Sequence, residues 1–278
     1  ARYYTYLATM AMTLSACAEA GVSALVLDRP NPIGGLEVEG NLPRPHLRSF
    51  VSWLPLPNRH GITAGEAARM LVRQERLSLD LEVLPCEGWA REMTWPDTGL
   101  PFIPPSPNIP DWETALVYPG MCLLEGTNLS EGRGTPLPFR VFGAPWILDP
   151  RRLSDALNRL DLPGVLFRPL WFTPDKDKHQ GKRCGGCHLV IRDHRAFRPL
   201  LAGFSVLRVV SSLWPDDFRL RTDAYEFVTD HPALDLLLGN RDLRHRLLES
   251  PDPREVWRTA CAEGTGFLKD REPDLLYS

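Results

Sequence analysis

The chain has 278 residues, of which 43% are hydrophobic and 24% are charged, and this content excludes intrinsic disorder as a general description. Its formal net charge of −3 gives no overall positive field for a polyphosphate backbone, so nucleic acid is not an expected partner. No segment reaches the roughly 18 apolar residues that indicate a membrane span, and no pattern indicates an oligomeric state. The length fits one large domain or two of roughly 100 to 200 residues each.

The first predicted elements are a helix followed by a strand. Residues 7–20 are rich in Ala, Leu and Met and end at Gly21, a residue that commonly terminates helices in the left-handed conformation. Residues 22–27 have the apolar run of a buried strand. Asp28 follows this strand directly and opens the loop 29–35. In open α/β sheets the loops beyond the carboxyl ends of strands bind ligands, so Asp28 is a candidate functional residue.

The α/β alternation continues through the first half of the chain. Thr63 and Glu66 have the spacing of a capping box, which predicts a helix over 64–76, and a strand is expected near 79–84. Residues 95–128 are dominated by turn formers and are expected to be a long irregular segment. Such a segment in a compact domain is typical of functional loops.

The second half is expected to form a separate, smaller α/β domain, with a boundary near residue 148 that divides the chain into 1–148 and 149–278. The predicted elements are a helix at 151–160, strands at 164–172 and 187–192, a long apolar helix at 195–214 and helices within 232–249 and 253–270. The expected fold class is therefore α/β, with a Rossmann-like first domain.

The densest polar segment is the loop 125–135, which contains Glu125, Glu131 and Arg133 together with three glycines. Glycines let backbone N–H groups approach a ligand, carboxylates can act as acid and base, and a guanidinium can bind a carboxylate through two hydrogen bonds. The alternative is a solvated loop whose charges pair with one another.

Two other patterns are candidate functional sites. Cys184 and Cys187, with His179 and His188 nearby, offer potential zinc ligands or a redox pair. No second ligand pair follows, and His188 would point to the opposite face of a strand from Cys187, so zinc and redox chemistry remain the weaker alternative. His60 precedes the capped helix and is either a cleft residue or a buried structural histidine. The motifs of serine hydrolases, nucleotide hydrolases and dinucleotide-binding proteins are absent.

Several segments, in this order and spacing, resemble the NamZ-type exo-β-N-acetylmuramidases. They are Arg2-Tyr3-Tyr4-Thr5-Tyr6, Leu27-Asp28-Arg29-Pro30-Asn31-Pro32-Ile33-Gly34-Gly35, Arg59-His60-Gly61-Ile62-Thr63 with Gly65-Glu66, residues 104–110, and the loop 125–135. The resemblance implies a bacterial glycoside hydrolase that removes terminal N-acetylmuramic acid from peptidoglycan fragments, with a cleft between two domains. It also implies a cell-envelope or secreted location.

The resemblance further implies roles for individual residues. Asp28, Glu125 and Glu131 are the expected catalytic carboxylates, because glycoside hydrolysis commonly uses two carboxyl groups. The expected substrate-binding residues, with Arg29 and Arg133 facing the lactyl carboxylate of muramic acid, are Tyr4, Arg29, Asn31, His60, Asn108, Asn128 and Arg133. No metal and no cofactor are expected.

One departure from the family pattern leaves an alternative open. Members of the family carry an earlier Rossmann-like segment with a Glu-His-Gly motif, taken to supply a catalytic carboxylate, and that motif does not occur here. The expectation is that this segment precedes the present sequence. The alternative is a non-catalytic saccharide-binding remnant of such an enzyme.

Overall fold

The computed structural model describes all 278 residues, which form two compact units. The first unit contains Ala1–Phe102 and Ala260–Ser278, and the second contains Ile103–Thr259. Both units combine helices with strands, so the expected α/β fold class is confirmed. None of the helices is both long enough and apolar enough to cross a bilayer.

The first unit is built on two parallel strands and the helices beside them. Its elements are α1 (Leu7–Ala20), β1 (Ala24–Leu27), α2 (Ala64–Glu75), β2 (Leu81–Leu84) and α9 (Gly266–Arg271). Strand β1 pairs in parallel with β2, with Ala24 opposite Leu81 and Leu27 opposite Leu84. A strand, a connecting helix and a parallel strand form the repeating unit of Rossmann-like folds.

The start of α2 forms as its sequence predicts. The Thr63 hydroxyl accepts a hydrogen bond from the Glu66 backbone N–H at 3.2 Å, and the Glu66 carboxylate accepts one from the Thr63 backbone N–H at 2.9 Å. This capping box satisfies two amide groups that the helix itself leaves unpaired. The capping box also fixes the position of Thr63, whose hydroxyl contacts Asp28, the residue that follows β1.

A hydrophobic core lies between α1 and α2. Its members are buried aliphatic and aromatic side chains, namely Leu7, Ala11, Leu14, Leu54, Leu56, Ile62, Ala67, Ala68, Met70, Leu71 and Phe267. Glu66, at the edge of this core, is fully buried and pairs with the guanidinium of Arg91. A buried ion pair of this kind holds its partners firmly, since either charge would be costly alone.

The second unit contains an antiparallel sheet with the strand order β3-β5-β4. Its elements are α3 (Trp112–Met121), β3 (Val141–Ala144), α4 (Pro150–Asn158), β4 (Val165–Phe172), β5 (Cys184–Ile191), α5 (Pro199–Leu213), α6 (Ala233–Leu238), α7 (Arg241–Glu249) and α8 (Pro253–Glu263), the last of which runs past the end of the unit. A Cβ atom at Gly120 in α3 would lie only 1.8 Å from the carbonyl oxygen of Pro199 in α5. Glycine therefore permits the close packing of α3 on α5.

The division of the chain differs from the boundary expected near residue 148. That position lies inside the second unit, between β3 and α4, because β3 pairs with β5 and thereby joins residues 141–144 to the later part of the chain. Strand pairing between distant segments leaves no local signal in composition. The division falls instead between Phe102 and Ile103.

Several elements also differ from the predicted ones in extent. The expected irregular segment contains α3, which begins where the Asp111 carboxylate accepts a hydrogen bond from the Thr114 backbone N–H at 2.7 Å. The helical segment expected within 232–249 consists of two helices, α6 and α7, and Gly239, whose φ is 64°, ends α6 in the left-handed conformation. Strand β5 begins at Cys184, ahead of the expected residue 187, because all eight of its residues pair with β4.

Candidate active site

The loop 125–135 begins within the short 3-10 helix that follows α3 and is shaped by its glycines. Residues Cys122–Gly126 form a short 3-10 helix that follows α3 directly. Gly132 has a φ of 81°, and a Cβ atom there would lie 2.5 Å from the carbonyl oxygen of Val141. Only glycine fits this position without strain. The Phe139 backbone N–H then donates a hydrogen bond to the Glu131 carbonyl at 2.7 Å, just before the chain enters β3.

Glu125 is a buried carboxylate with three side-chain partners. One oxygen, Oε1, accepts a hydrogen bond from Arg133 Nη2 at 2.5 Å and contacts the Cys122 thiol at 3.7 Å. The other, Oε2, accepts a hydrogen bond from the Tyr225 hydroxyl at 3.2 Å. Burial raises the pKa of the Glu125 carboxyl, while the positive charge of Arg133 opposes this rise. A carboxyl group with a raised pKa is suited to donate a proton near neutral pH.

Glu131 lies beside Glu125 but has cationic partners on both oxygens. Its Oε1 is 3.2 Å from Arg133 Nε, and its Oε2 accepts a hydrogen bond from Lys178 Nζ at 2.9 Å. The Glu131 side chain is 3% exposed. Because its two oxygens contact Arg133 and Lys178, Glu131 is suited to hold its neighbours in place.

Lys178 connects this carboxylate to the backbone of the loop. Its ammonium group also donates hydrogen bonds to the carbonyls of Leu124 at 2.9 Å and Leu129 at 3.0 Å. An ammonium group has three protons, so Lys178 has no further donor to offer. Sequence reasoning missed Lys178, since it belongs to the charged run 175–178, which is typical of a solvated loop. Tyr225 was missed as well.

Arg133 is the cation in this cluster that keeps unused donors. Its Nε and Nη2 face the two carboxylates, and its guanidinium carbon lies 5.2 Å from the ring centroid of Phe139. No protein group accepts from Nη1, and the side chain is 25% exposed. Arg133 can therefore bind an additional anion while it holds Glu125 and Glu131.

Of the remaining predicted residues in the second unit, Asn128 is occupied and Asn108 is not. The Asn128 amide donates to the Asp217 carbonyl at 2.9 Å and accepts from the Arg219 backbone N–H at 3.0 Å, which ties two loops together. This arrangement favours a structural role. The Asn108 side chain has no protein partner and is partly exposed, so it remains able to bind a ligand.

Asp28, in the first unit, is held by four hydrogen bonds. Its Oδ2 accepts from the hydroxyls of Thr63 and Tyr277, both at 2.6 Å. Its Oδ1 accepts from the backbone N–H groups of Gly65 at 2.8 Å and Arg29 at 2.9 Å. Four donors match the acceptor capacity of a carboxylate. The geometry favours a role in which Asp28 joins the end of β1, the start of α2 and the final residues of the chain.

Asn31 and His60 have similar structural contacts in the same unit. The Asn31 amide donates to the Ile62 carbonyl at 3.0 Å and accepts from the Ile33 backbone N–H at 3.2 Å. His60 Nδ1 accepts from the Ile62 backbone N–H at 3.2 Å, and burial lowers the pKa of its imidazole well below the ordinary value. These contacts favour the alternative of a structural histidine.

Arg29 and Tyr4 complete the predicted residues of the first unit. The Arg29 guanidinium is exposed and has no protein partner, so it can bind a carboxylate. Tyr4 is partly buried and has a φ of 53°, a left-handed conformation that is uncommon for a tyrosine. Asp28 and these two residues belong to one unit, and Glu125, Glu131 and Arg133 belong to the other.

The geometry of Cys184 and Cys187 bears on the zinc and redox alternative. Both residues lie in β5, three positions apart, and alternate residues of a strand face opposite sides of the sheet. Burial raises the pKa of the Cys184 thiol to about 11 and that of Cys187 further still. Two neutral thiols that point apart cannot converge on one metal ion or form a disulfide with each other, so this alternative loses its support.

A mixed α/β fold and a buried cluster of two glutamates bridged by one arginine define a protein with a candidate acid–base site. Family models identify the particular class. The model described as the N-terminal part of exo-beta-N-acetylmuramidase NamZ matches residues 1–113, and the model of its C-terminal part matches residues 116–277. The chain belongs to the NamZ family, as the resemblance predicted.

Known proteins similar to the chain agree with this assignment. It is 40% identical over 276 residues to the peptidoglycan beta-N-acetylmuramidase NamZ of Bacillus subtilis, and the match covers 99% of this chain. The chain spans 64% of the length of that relative. Two crystal structures of DUF1343 family proteins from Bacteroides fragilis each match the whole of this chain, and the match covers 72% of each of those proteins. The first has a TM-score of 0.88 at 34% identity, and the second has a TM-score of 0.76 at 29% identity.

Proposed function

We propose that this protein is a glycoside hydrolase that releases terminal N-acetylmuramic acid from the non-reducing end of peptidoglycan fragments. The observation that carries the proposal is the pair formed by Glu125 and Arg133, a carboxyl group of raised pKa bound to a guanidinium with unused donors. Its support from relatedness is the 40% identity to a peptidoglycan beta-N-acetylmuramidase.

In the proposed mechanism Glu125 protonates the oxygen of the glycosidic bond as the bond from this oxygen to the anomeric carbon breaks, and a water molecule supplies the hydroxyl group that the anomeric carbon gains. General acid catalysis by a positioned carboxyl group commonly contributes about 10²- to 10⁴-fold to the rate. The Tyr225 hydroxyl and Arg133 hold the Glu125 carboxyl in one orientation. Glu131 contacts both Lys178 and Arg133 and acts as a positioning residue.

Arg133 recognises the substrate in this proposal. Muramic acid differs from glucosamine by a lactyl ether that ends in a carboxylate, and Arg133 Nη1 offers donors to such a group. A substrate carboxylate at Arg133 brings a second negative charge close to Glu125 and shares the charge of the guanidinium. Both effects favour the protonated form of Glu125. The correct substrate therefore prepares the acid that cleaves it.

The remaining predicted residues keep supporting roles in the proposal. Arg29 and Asn108 have side chains without protein partners and can bind the saccharide. The side chains of Asp28, Asn31, His60 and Asn128 instead hold neighbouring parts of the chain in place. Tyr4 remains a predicted binding residue. No step requires a metal or a cofactor.

A comparison of two chromogenic substrates tests this proposal. The purified full-length protein is assayed with the aryl β-glycoside of N-acetylmuramic acid and with that of N-acetylglucosamine, which lacks the lactyl group. We expect the muramic acid glycoside to be cleaved with a kcat/KM more than about 100-fold higher, because the donors of Arg133 find no acceptor in the other substrate. Equal cleavage of both substrates contradicts the assignment of Arg133, and cleavage of neither contradicts the function.

An Arg133→Gln variant separates recognition from folding. The variant should lose most of its preference for the muramic acid glycoside while its slower cleavage of the glucosamine analogue changes less. Arg159→Gln is the matched control, because Arg159 is exposed and its side chain has no partner. An unchanged preference in Arg133→Gln would remove Arg133 from substrate recognition.

A further inference from the structure

A surface pocket in the second unit lies outside the cluster formed by Glu125, Glu131, Arg133 and Lys178, here called the Glu125 cluster. It has a volume of about 400 Å³ and is formed by the start of α5, one face of α8 and the turn before β4. The residues that line it include Pro163, Arg198, Leu201, Arg254, Trp257 and Arg258. Its volume is within the range of roughly 300 to 1,000 Å³ that small-molecule sites occupy.

The pocket combines three guanidinium groups with one indole ring. Arg254, Trp257 and Arg258 are spaced by three and four positions in α8, so they share one face of that helix. Arg198 immediately precedes α5 and lines the same pocket. Arginine is suited to bind carboxylate or phosphate groups, and the face of an indole carries partial negative charge that attracts polarised C–H groups.

The positions of these guanidinium groups are fixed by backbone carbonyls. Arg254 Nη2 donates to the Asp161 carbonyl at 2.7 Å. Arg198 Nη1 donates to the carbonyls of residues 195–197, at distances from 2.9 to 3.2 Å. A carbonyl partner orients the Arg254 guanidinium but leaves its positive charge uncompensated. The pocket is therefore preorganised for an anion.

No carboxylate of the protein neutralises Arg254 or Arg258. The guanidinium of Arg258 has no partner, and that of Arg254 contacts only the carbonyl described above. The nearby carboxylates cap backbone turns instead: Asp252 accepts from the Arg254 backbone N–H at 2.9 Å, and Asp193 accepts from the N–H groups of Arg195 and Ala196. In a protein with a net charge of −3, two adjacent arginines without ion pairs in one pocket indicate a ligand site.

We propose that this pocket binds a sugar that carries an acidic group, either a carboxylate or a phosphate. The acidic group contacts the guanidinium groups, and the sugar ring lies against Trp257 and the apolar side chains of Leu201 and Pro163. A simple inorganic anion would leave the indole and the apolar wall without contacts. This site is separate from the Glu125 cluster, and its test does not depend on the proposed hydrolysis.

Nuclear magnetic resonance of the tryptophan indole N–H groups tests the proposal directly. The Trp257 signal is assigned by its loss in Trp257→Phe. The uniformly ¹⁵N-labelled protein is then titrated separately with methyl β-D-glucuronide, glucose 6-phosphate, methyl β-D-glucoside and inorganic phosphate. We expect the Trp257 signal to shift with one or both of the acidic sugars. Tighter binding of the glucuronide indicates a carboxylate ligand, and tighter binding of glucose 6-phosphate indicates a phosphate ligand.

Substitutions of the guanidinium groups complete the experiment. Arg258→Gln should weaken binding of the acidic sugar by about 10-fold or more, the effect of losing one charge-assisted hydrogen bond, and Arg258 has no protein partner whose loss could unfold the chain. Arg241→Gln is the control, since Arg241 is an exposed arginine in α7 outside the pocket. The affinity of Arg241→Gln for the acidic sugar should match that of the unmodified protein.

Four results would overturn the proposal. They are the absence of a Trp257 shift with either acidic sugar, binding of methyl glucoside as tightly as the tighter-binding acidic sugar, binding of inorganic phosphate as tightly as that sugar, and unchanged binding in Arg258→Gln. The third result would identify a simple anion site, because the sugar ring would then add nothing.

Discussion

Asp28 and Glu125 are both buried carboxylates in loops predicted to be functional, but their surroundings differ. Asp28 accepts four hydrogen bonds from uncharged donors, two hydroxyls and two backbone N–H groups. Glu125 is bound to the Arg133 guanidinium and the Tyr225 hydroxyl, and burial raises the pKa of its carboxyl. Similar burial thus accompanies two different chemical environments.

The comparison indicates how the protein uses each group. A carboxylate that accepts from four fixed donors joins parts of the chain and has no acceptor capacity left. A carboxyl group whose pKa is raised, and whose partner arginine keeps free donors, can exchange a proton and respond to a bound anion. The first is expected to matter for stability and the second for catalysis.

The largest expected effect is the loss of activity in Glu125→Gln. The amide preserves the size of the side chain but cannot donate the acid's proton, so turnover of the aryl muramic acid glycoside should fall by about 10²- to 10⁴-fold. Steady-state kinetics measure the loss. Glu87→Gln, at an exposed residue without a side-chain partner, should retain normal turnover. Near-normal turnover in Glu125→Gln would remove this residue from the mechanism.

A buried ion pair in the first unit contains a carboxylate, that of Glu66, whose role is structural. Glu66 accepts from Arg91 and from the backbone N–H groups of Thr63 and Leu276. Arg91→Gln leaves Glu66 buried without its cation and should lower the free energy of unfolding by about 3 to 5 kcal/mol. Chemical denaturation measures this loss.

Arg76→Gln is the control for Arg91, because the Arg76 side chain is exposed and has no partner. It should unfold at the same denaturant concentration as the unmodified protein. A loss below about 1 kcal/mol in Arg91→Gln, the range of an exposed salt bridge, would mean that water reaches Glu66.

Asp28→Asn tests the structural side of the comparison itself. The amide nitrogen would face a donor that the carboxylate now accepts from, and one buried donor would lose its acceptor. We expect the free energy of unfolding to fall by about 1 to 3 kcal/mol. Asp80→Asn, at an exposed residue just before β2, should have no effect. Unchanged stability together with a large loss of turnover would instead make Asp28 a catalytic residue.

The smallest expected effect is a dependence of stability on pH that arises from His60. Burial lowers the pKa of this imidazole well below 6.5, so the folded protein keeps it neutral while the unfolded chain takes up a proton. Its contribution is complete above the unfolded pKa and decreases as pH falls below it. Between pH 8 and pH 6 the loss should be about 0.8 kcal/mol.

Denaturation curves at the two pH values measure this effect. In His60→Gln the difference between pH 8 and pH 6 should shrink by the contribution of His60, whereas the exposed His46→Gln should retain the difference of the unmodified protein. An identical pH dependence in His60→Gln and the unmodified protein would show that the imidazole is not kept neutral.

Local sequence features predicted much of the fold, because their physical causes are local. Helix α1 ends at Gly21 in the left-handed conformation, and α2 begins with the Thr63 and Glu66 capping box, as expected. Helix α3 was missed because Pro119 and the surrounding turn formers obscured it, although Asp111 provides an N-cap that could have indicated it. The predicted loop 125–135 contains a tight turn at Gly132, as its glycines suggest.

The sequence by itself determined the α/β class, the main helices and strands, the resemblance to the NamZ family and the candidate carboxylates. The tertiary structure alone revealed the partners of those carboxylates. Lys178 lies 47 residues from Glu131, Tyr225 lies 100 residues from Glu125, and Tyr277 lies 249 residues from Asp28. Such partners come together only through packing, and it is these contacts that leave one carboxyl group ready to exchange a proton and fix the other in place.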